Sequence, residues 1–277
     1  MKNVLIPIDF SENSINALNY AEAFFKNTPI NFYLLGVYIS APSKLMSDDY
    51  NEDWLGKMDD TISEDLKNLA ERYNDSSDLK HNYKAVTIAD SLTSAMKKVI
   101  NDKGIELIIS GTKGASGLKE IFIGSNTLKM INHIDSCPIL VVPNGYKFDG
   151  LHQIVFSTNY KRGFGSDELK PLIQIAVMHN ALIEVVQLIS EDFLSETQKK
   201  NKTDLQGFLE DFEFDFNKLD WEGSETETIQ NHVENCKSEL LTLINHKYNF
   251  FNKLTEEDVI KKSSFHSKIP LLVLPEL

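Results

Sequence analysis

The chain has 277 residues, of which 42% are hydrophobic and 25% charged, and its formal net charge is −13. This length predicts two domains or one large one, with enough apolar side chains for a core. The negative charge argues against nucleic acid and anionic membrane surfaces as partners, because both attract Lys and Arg.

The chain carries no sign of a disulfide framework, a zinc finger or a membrane span. Its two cysteines, Cys137 and Cys236, lie far apart without a CxxC motif. No apolar run reaches the roughly 18 residues of a membrane span. The N-terminus meets an acid at Asp9 and lacks a small-residue cleavage site, so it predicts a first strand rather than a signal peptide. We therefore expect a cytoplasmic protein.

Short apolar runs alternate with helical patterns from the N-terminus to residue 143. The predicted strands are Val4–Ile8, Ile30–Tyr38, His81–Val86, Ile105–Ile109 and Ile139–Val142. Ser11 is the predicted N-cap of the first helix, and the later helices are predicted over Trp54–Tyr73, Ser91–Ile100 and Ser125–His133. The polar stretch Ile39–Asp53 is predicted to be a loop or lid, and Asn74–Asp78 a turn.

This alternation is typical of a parallel sheet covered by helices on both faces. Right-handed crossovers make such a sheet doubly wound, and ligands then bind beyond the carboxyl ends of its strands. Asp9, Val37 and Gly111 lie at carboxyl ends of three predicted strands. They are therefore expected to converge on one crevice.

The pattern restarts after the turn-rich segment Asn144–Gly150, which we interpret as a linker. Gln153–Asn159 repeats Asn3–Asp9 after 150 residues, and Ile269–Pro275 repeats Cys137–Pro143 after 132 residues. We therefore predict two related domains, 1–146 and 151–277. Between the repeats we predict a helix, a strand, a helix, a strand, a helix and a strand over Asp167–Met178, Ala181–Ile189, Ser195–Phe212, Phe214–Leu219, Ser224–Lys237 and Leu240–Ile244.

The stretch from residue 105 to 127 has the composition of an anion-binding loop. A strand ends in Gly111, Gly114 follows, and Gly124 and Ser125 come before a helical pattern. Glycines let a backbone curl close to phosphate, and the free N–H groups of a helix N-terminus favour negative charge. The spacing matches neither the P-loop nor the dinucleotide GxGxxG motif. The alternative is that the glycines serve turns and a helix cap only.

The spacing Gly111-x2-Gly114-x9-Gly124-Ser125 resembles the nucleotide-binding signature of the universal stress protein family. The opening segment 4–11 and the closing segment 137–143 resemble that family too. The resemblance implies a tandem protein of two Rossmann-like, adenine nucleotide alpha hydrolase-like α/β domains, each with a five-stranded parallel sheet of order 3-2-1-4-5.

The resemblance also implies a ligand, ATP or another adenine nucleotide, with or without Mg²⁺. Asp9 would contact its ribose or adenine end, and Val37 would present backbone to the adenine. The glycines and small polar residues of the loop would hold its phosphates. The implied nucleotide-binding residues are Pro7, Asp9, Val37, Gly111, Thr112, Gly114, Gly124, Ser125, Asn126 and Thr127. Asn126 departs from the small apolar residue that is often found at its position.

The second half has lost this loop. Ile244–Lys247 stands where Gly111–Gly114 stands in the first half, and Glu256 and Glu257 replace Gly124 and Ser125. We therefore predict that the second domain does not bind a nucleotide in the same way and instead pairs with the first. The resemblance assigns that pairing to Ile139–Val142 and Leu271–Leu274, and it leaves open whether the chain also forms a homodimer.

Two other groups of residues carry side chains that can bind a ligand or a metal. His232 and Cys236 are four residues apart on a predicted helix, a spacing able to share a metal, but without an evident third ligand we predict no metal site. His246 and His266 flank the altered loop and are expected to cap and pack. No general base or nucleophile stands out, so we predict no catalytic residue. Three functions remain open: a stress-response protein that senses or stores a nucleotide, a slow ATPase, and a scaffold with a vestigial loop.

Overall fold

A computed structural model describes residues 1–38, 51–76, 80–112, 125–245 and 268–277, with only the backbone described over 51–60. Within the first half, the strands are Asn3–Pro7 (β1), Asn31–Tyr38 (β2), Asn82–Ala89 (β3), Leu107–Gly111 (β4) and Ile139–Val142 (β5). The helices are Glu12–Phe24 (α1), Asn51–Ser76 (α2), Leu92–Lys103 (α3) and Ser125–His133 (α4).

As far as its fourth strand, the second half follows the same order of elements. Its strands are Gln153–Ser157 (β6), Leu182–Gln187 (β7), Phe214–Lys218 (β8), Leu240–Asn245 (β9) and Leu271–Pro275 (β10). Its α-helices are Ser166–His179 (α5), Glu196–Leu209 (α6) and Glu225–Cys236 (α7), and a short 3₁₀ turn covers Glu191–Phe193. Of the helices in the described segments, none has both the length and the apolar character needed to cross a bilayer.

The ten strands of the described segments form one sheet in the order β3-β2-β1-β4-β5-β10-β9-β6-β7-β8. Each half therefore has the predicted order 3-2-1-4-5, and every strand pair within a half is parallel. The predicted fold class is confirmed. A single sheet runs through both halves because their fifth strands are hydrogen-bonded neighbours.

The contact between β5 and β10 is antiparallel and has local twofold symmetry. Leu140 pairs with Leu272, its own equivalent in the repeat, while Ile139 pairs with Val273 and Val141 with Leu271. The symmetry axis therefore passes between Leu140 and Leu272. All the residues of both strands from 139 to 142 and from 271 to 274 are buried, so the junction is part of the core.

Serine side chains start several of the helices. Ser11 accepts a hydrogen bond from the Ser14 N–H, and Ser91 accepts one from the Ser94 N–H. Ser195 and Ser224 form capping boxes with Gln198 and Glu227. Such caps satisfy N–H groups that have no partner inside the helix. This local chemistry explains why these helix starts could be predicted.

Both predicted boundaries of α2 were wrong. The helix α2 continues to Ser76, through the first part of the predicted turn Asn74–Asp78. The amide of Asn74 accepts from the Tyr83 N–H at 2.9 Å and donates to the Tyr83 carbonyl at 3.0 Å. It thus ties the helix end to β3 instead of forming a turn. At its start, α2 takes in Asn51–Asp53 from the predicted loop, whose residues 39–50 lie outside the described segments.

The helices cover both faces of the sheet. On one face α1, α2, α5 and α6 pack through Leu18, Leu66, Leu172 and Leu205, all fully buried. On the opposite face α3, α4 and α7 pack through side chains such as Met96, Met130 and Ile229. Each of the two hydrophobic layers includes residues from both halves. The sheet is therefore doubly wound along its whole width.

The segment that joins the halves packs against both of them. Phe148 lies 5.6 Å from Tyr20 and 5.3 Å from Phe24, and Tyr146 lies 6.0 Å from Tyr20, measured between ring centroids. His179, the last residue of α5, completes the group at 4.5 Å from Phe24 and 5.3 Å from Phe148. The predicted linker thus anchors α1 of one half to α5 of the other.

Candidate functional site

The carboxyl ends of β1, β2 and β4 lie side by side in the first half. Pro7, the last residue of β1, pairs with Leu35 of β2, and Val37 lies two residues further along β2 opposite Ile88. On the other side of β1, β4 ends at Gly111, which pairs with Val142. The sheet order therefore brings the predicted residues Pro7, Val37 and Gly111 to one edge, as expected for a crevice at the strand ends.

Asp9 forms a tight turn between β1 and α1. Its Oδ1 accepts hydrogen bonds from the Ser11 N–H at 3.0 Å and the Ser11 hydroxyl at 2.5 Å. Phe10, between them, has a φ of 59°, a left-handed conformation that is uncommon outside glycine and often found at functional sites. Partial burial raises the pKa of Asp9, but the hydrogen bonds from Ser11 outweigh it and hold that pKa below its ordinary value. The exposed carboxylate is therefore charged and fixed in direction.

Gly111 is required by the close approach of α1. A Cβ at this position would lie 2.3 Å from the carbonyl oxygen of Asn13 and 2.8 Å from its carbonyl carbon. Both are backbone atoms in the first turn of α1, so a side chain at residue 111 would displace the helix. The glycine thus has a structural reason that does not depend on a ligand, and it sets the distance between β4 and the turn of Asp9.

Two buried polar atoms near Gly111 have no hydrogen-bond partner among the described residues: the hydroxyl oxygen of Thr112 and the amide oxygen of Asn13. Thr112 is fully buried, and its N–H donates to the Val142 carbonyl at 3.1 Å. Buried polar groups are almost always paired in folded proteins. The Thr112 hydroxyl and the Asn13 amide oxygen are therefore able to form hydrogen bonds with a ligand at the carboxyl end of β4.

The start of α4 completes the described part of the crevice. α4 leads back to the start of β5, so its N-terminus, with its free N–H groups, faces the end where β4 finishes. Ser125 and Asn126 are exposed there, whereas Thr127 is 3% exposed. The predicted residues Gly114 and Gly124 lie outside the described residues, as does the whole segment 113–124.

The second half repeats the turn but not its charge. Asn159 stands where Asp9 stands, and its Oδ1 accepts from the Lys161 N–H at 3.0 Å. Tyr160 has a φ of 55°, close to that of Phe10. The same backbone turn is therefore built twice, once around a carboxylate and once around a neutral amide.

Side chains of α6 occupy the second half's crevice. Gln198 donates to the carbonyl of Asn159 at 2.8 Å, and Asn201 donates to the carbonyl of Tyr160 at 2.9 Å. Lys202 lies over the Tyr160 ring at 5.7 Å and donates to Gln187, at the end of β7, at 3.0 Å. The Asn159 and Tyr160 carbonyls and the Gln187 amide oxygen are thus paired with α6 side chains.

The end of β9 also differs from the end of β4. Ile244 pairs with Leu274 as Gly111 pairs with Val142, so the two positions are equivalent. α1 begins three residues after Asp9 but α5 begins seven residues after Asn159, about one helical turn later. The position that is glycine beside α1 is therefore isoleucine in the half whose helix begins about one turn later.

Asn245, which stands at the position of Thr112, turns toward the first half. Its Nδ2 donates to the Ile131 carbonyl of α4 at 2.7 Å. The equivalent of a candidate ligand-binding residue therefore joins the two halves. The altered loop beyond it, with His246, Lys247, Glu256, Glu257 and His266, lies outside the described residues.

Sequence reasoning missed the contribution of the helices that face the strand ends. Asn13 limits residue 111 to glycine, and Gln198 and Asn201 fill the second crevice. No spacing in the sequence indicates these contacts, because each depends on how closely a helix approaches a strand that is distant along the chain. The later start of α5 is the one difference between the halves that the sequence could have indicated. Its N-cap, Gly165, follows Asn159 by six residues, whereas the N-cap of α1, Ser11, follows Asp9 by two.

Comparisons with known proteins agree with this arrangement. A model of the universal stress protein family matches residues 1–143, just over half of the chain. Universal stress protein MJ0577 of Methanocaldococcus jannaschii is 28% identical over 160 residues, covering 51% of this chain and 94% of that protein. A universal stress protein of Archaeoglobus fulgidus superimposes with a TM-score of 0.68 at 16% identity, over 99% of this chain and 96% of that one.

A second solved structure with the same fold is a domain of a transport protein. The cytoplasmic domain of a prokaryotic cation chloride cotransporter superimposes with a TM-score of 0.52 at 10% identity, over 99% of this chain and 95% of that one. At these identities the two structures show the tandem fold alone, and the fold by itself does not define a function. The family assignment comes from the match over residues 1–143: the chain is a tandem, two-domain member of the universal stress protein family.

Proposed function

We propose that the first half binds an adenine nucleotide, ATP in the first instance, and that the protein serves as a nucleotide-dependent regulator in the stress response. The observation that carries this proposal is the buried, unpartnered hydroxyl of Thr112 at the carboxyl end of β4, among the residues that the structure describes. It follows Gly111, which packs against the first turn of α1, and it lies at the strand end that the N-terminus of α4 faces, where a polyatomic anion would find N–H donors. Membership of the family supports the same ligand class.

We assign the two ends of the ligand as follows. Pro7, Asp9 and Val37 contact the adenosine part, with the Asp9 carboxylate accepting hydrogen bonds from ribose hydroxyls. The phosphates are held by Gly111, Thr112, Gly114, Gly124, Ser125, Asn126 and Thr127. The hydroxyls of Thr112 and Ser125 are donors suited to phosphate oxygens. The α4 N-terminus adds the positive end of a helix dipole.

We propose one nucleotide per chain. The crevice of the second half is occupied by Gln198, Asn201 and Lys202, and its strand turn carries neutral Asn159 instead of a carboxylate. A nucleotide would have to displace those hydrogen bonds before it could enter. The second half instead contributes β10, which continues the sheet from β5.

The proposal is tested first by identifying what the purified protein holds and binds. The full chain is denatured and the released small molecules are analysed, and ATP, ADP and AMP are then titrated calorimetrically against nucleotide-free protein. We expect one binding event per chain. The absence of both released nucleotide and heat of binding would refute nucleotide binding. Release of phosphate from bound ATP that depends on Mg²⁺ and on Asp9 would show that the protein is a slow ATPase instead.

Substitution of Asp9 by Ala is expected to weaken nucleotide affinity by at least tenfold. A hydrogen bond to a charged group contributes about 1.5–3 kcal/mol, which corresponds to roughly 10- to 100-fold in the dissociation constant. The measurement is the same calorimetric titration. Asn159→Ala is the matched control, because it removes the equivalent turn in the second half and should leave affinity unchanged.

The variant Asp9→Asn separates the contribution of the turn between β1 and α1 from that of the Asp9 charge. Asp9→Asn is expected to keep the turn, since Asn159 makes the same hydrogen bond to a backbone N–H in the second half. Its thermal stability should therefore match that of the wild type while its nucleotide affinity falls. Wild-type affinity in both Asp9 variants would argue against a role for this carboxylate in binding.

We also propose a compartment and an organisation for the chain. Both cysteines are free, Cys137 buried and Cys236 partly buried, which supports a reducing compartment such as the cytoplasm. The two units 1–146 and 151–277 pair through β5 and β10 within one molecule. If a homodimer forms, it must therefore use other surfaces, and light scattering of the purified protein at several concentrations would measure it.

A further inference from the structure

Three side chains with metal-binding atoms meet on one face of the second half. They are Glu184 of β7 and His232 and Cys236 of α7, and one ligand atom from each lies within 4.8 Å of the other two. Glu184 supplies the third ligand that is not evident from the spacing of His232 and Cys236 in the sequence. Glu184 is 48 residues from His232 along the chain, so only the fold brings it there.

The local structure holds the three residues toward one another. His232 and Cys236 are four residues apart on α7 and so share one side of the helix. The helix lies on the sheet through buried Ile229 and Val233. Glu184 is in the middle of β7, 6% exposed, where it pairs with Val155 and Asp215.

The first half shows that the fold does not require a carboxylate beside an imidazole at this place. β7 pairs with β6 as β2 pairs with β1, which makes Glu184 equivalent to Tyr33. Counting from the N-caps Ser224 and Ser91, His232 and Cys236 are equivalent to Val99 and Lys103. A buried carboxylate and a partly buried imidazole thus replace an aromatic and an aliphatic side chain. Burial of such groups costs free energy unless they are paired or coordinate a metal.

The carboxylate is held in the manner of a metal ligand. Gln153 donates to Oε2 of Glu184 at 2.7 Å, and Asn217 donates to Oε1 at 3.0 Å. Outer hydrogen bonds of this kind orient the carboxylates and imidazoles of metal sites. His232 Nε2 lies 2.9 Å from both carboxylate oxygens, so a proton now occupies the place that a cation would take.

We propose that Glu184, His232 and Cys236 form a binding site for a divalent transition-metal ion, for which Zn²⁺ has the best-matched chemistry. One carboxylate, one imidazole and one thiolate are ligands that zinc accepts, and a water molecule completes a tetrahedral set. Zinc bonds of about 2.0 to 2.3 Å place neighbouring ligand atoms about 3.3 to 3.8 Å apart. The side chains therefore need to move by only about 1 Å from their present positions.

Binding also has a proton balance. His232 Nε2 gives up the proton that it now directs at Glu184, and the neutral imidazole carries its proton on Nδ1 instead. The Cys236 thiol releases its proton to solvent, and the thiolate becomes a ligand. The cation replaces the hydrogen bond between His232 and Glu184. The site is reachable, since His232 and Cys236 are both partly exposed.

Cobalt substitution tests the site directly, with the full chain and no nucleotide present. The protein is treated with a chelator, dialysed and titrated with Co²⁺ while its absorption spectrum is recorded. We expect one Co²⁺ per chain, with a thiolate-to-cobalt charge-transfer band in the near ultraviolet and intense visible bands of tetrahedral cobalt. Zn²⁺ should then displace the cobalt and remove both. A titration that produces no such bands would overturn the proposal and leave a metal-free hydrogen-bonded pair.

Variants identify the ligands. Cys236→Ser should abolish the charge-transfer band, and Glu184→Gln should weaken Co²⁺ and Zn²⁺ binding by at least tenfold. Cys137→Ala and His152→Gln are the matched controls, because they remove the other thiol and an exposed imidazole while leaving the three proposed ligands in place. Circular dichroism shows which variants fold, and Cys236, being partly exposed, tolerates serine. Retention of the charge-transfer band in Cys236→Ser would refute the site.

Discussion

Replacement of Gly111 by Ala is expected to lower the free energy of unfolding by about 3 kcal/mol and to remove most of the nucleotide affinity of the first half. The added Cβ would lie 2.3 Å from the Asn13 carbonyl oxygen, and neither strand β4 nor the first turn of α1 can yield by rotating a side chain. Urea denaturation measures the first effect, and ATP calorimetry measures the second.

The loss of nucleotide affinity is expected because the clash between residue 111 and Asn13 also displaces the turn that holds Asp9. A shift of Asn13 moves the start of α1, including Ser11, whose N–H and hydroxyl fix the Asp9 carboxylate. Gly207→Ala is the matched control, since residue 207 lies within α6 and a Cβ there would meet no atom within 4 Å. That change should be neutral or stabilise the protein by up to about 1 kcal/mol. Wild-type stability of Gly111→Ala would show that α1 does not approach β4 as closely as described.

Acidification from pH 6.5 toward pH 4 is expected to destabilise the protein by about 2 kcal/mol through His179 alone. Burial lowers the pKa of His179 from 6.5 to about 4, and its Nε2 has no hydrogen-bond partner among the described residues. The unfolded chain therefore takes up a proton near pH 6.5, while the folded chain resists until about pH 4. The stability contributed by the neutral ring is complete above pH 6.5 and is lost as the pH falls.

The size of this effect is set by the shift of the pKa. One unit corresponds to about 1.4 kcal/mol, so the full shift would be worth about 3 kcal/mol, and partial exposure of the ring reduces it to about 2 kcal/mol. His179→Phe should reduce the loss of stability between pH 6.5 and pH 4 by that amount in urea titrations. His133→Gln, an exposed control at the end of α4, should keep the wild-type pH dependence. An unchanged pH dependence in His179→Phe would exclude this residue as the cause.

Elements whose limits are set by neighbouring residues could be predicted closely. α4 spans Ser125–His133 and β5 spans Ile139–Val142, both as expected. Pro138 and Pro143 bracket β5, and a serine caps the start of α1 and of α3. Such boundaries depend on chemistry within a few residues, which a sequence displays directly.

Features that depend on contacts between distant segments could not be predicted. The approach of Asn13 to Gly111 is one example, and the meeting of Glu184 with His232 is another. The segment Asn144–Gly150 is polar in composition, yet its two aromatic side chains, Tyr146 and Phe148, pack between the halves. In each case the contact depends on how the chain crosses over the sheet or on how closely a helix packs against it. Neither of these can be predicted from the residues next to the contact in the sequence.

The antiparallel pairing of β5 with β10 has a consequence for how the two sides of the molecule can diverge. In a dimer of identical subunits, every substitution appears on both sides of the symmetry axis at once. Here Leu140 meets Leu272 across a local axis, but the two leucines are separate positions of one chain. One side is therefore free to keep a glycine at residue 111 while the other carries isoleucine at 244. Because both halves belong to one chain, the interface between them is permanent, and a substitution in one half does not change the residue at the equivalent position in the other.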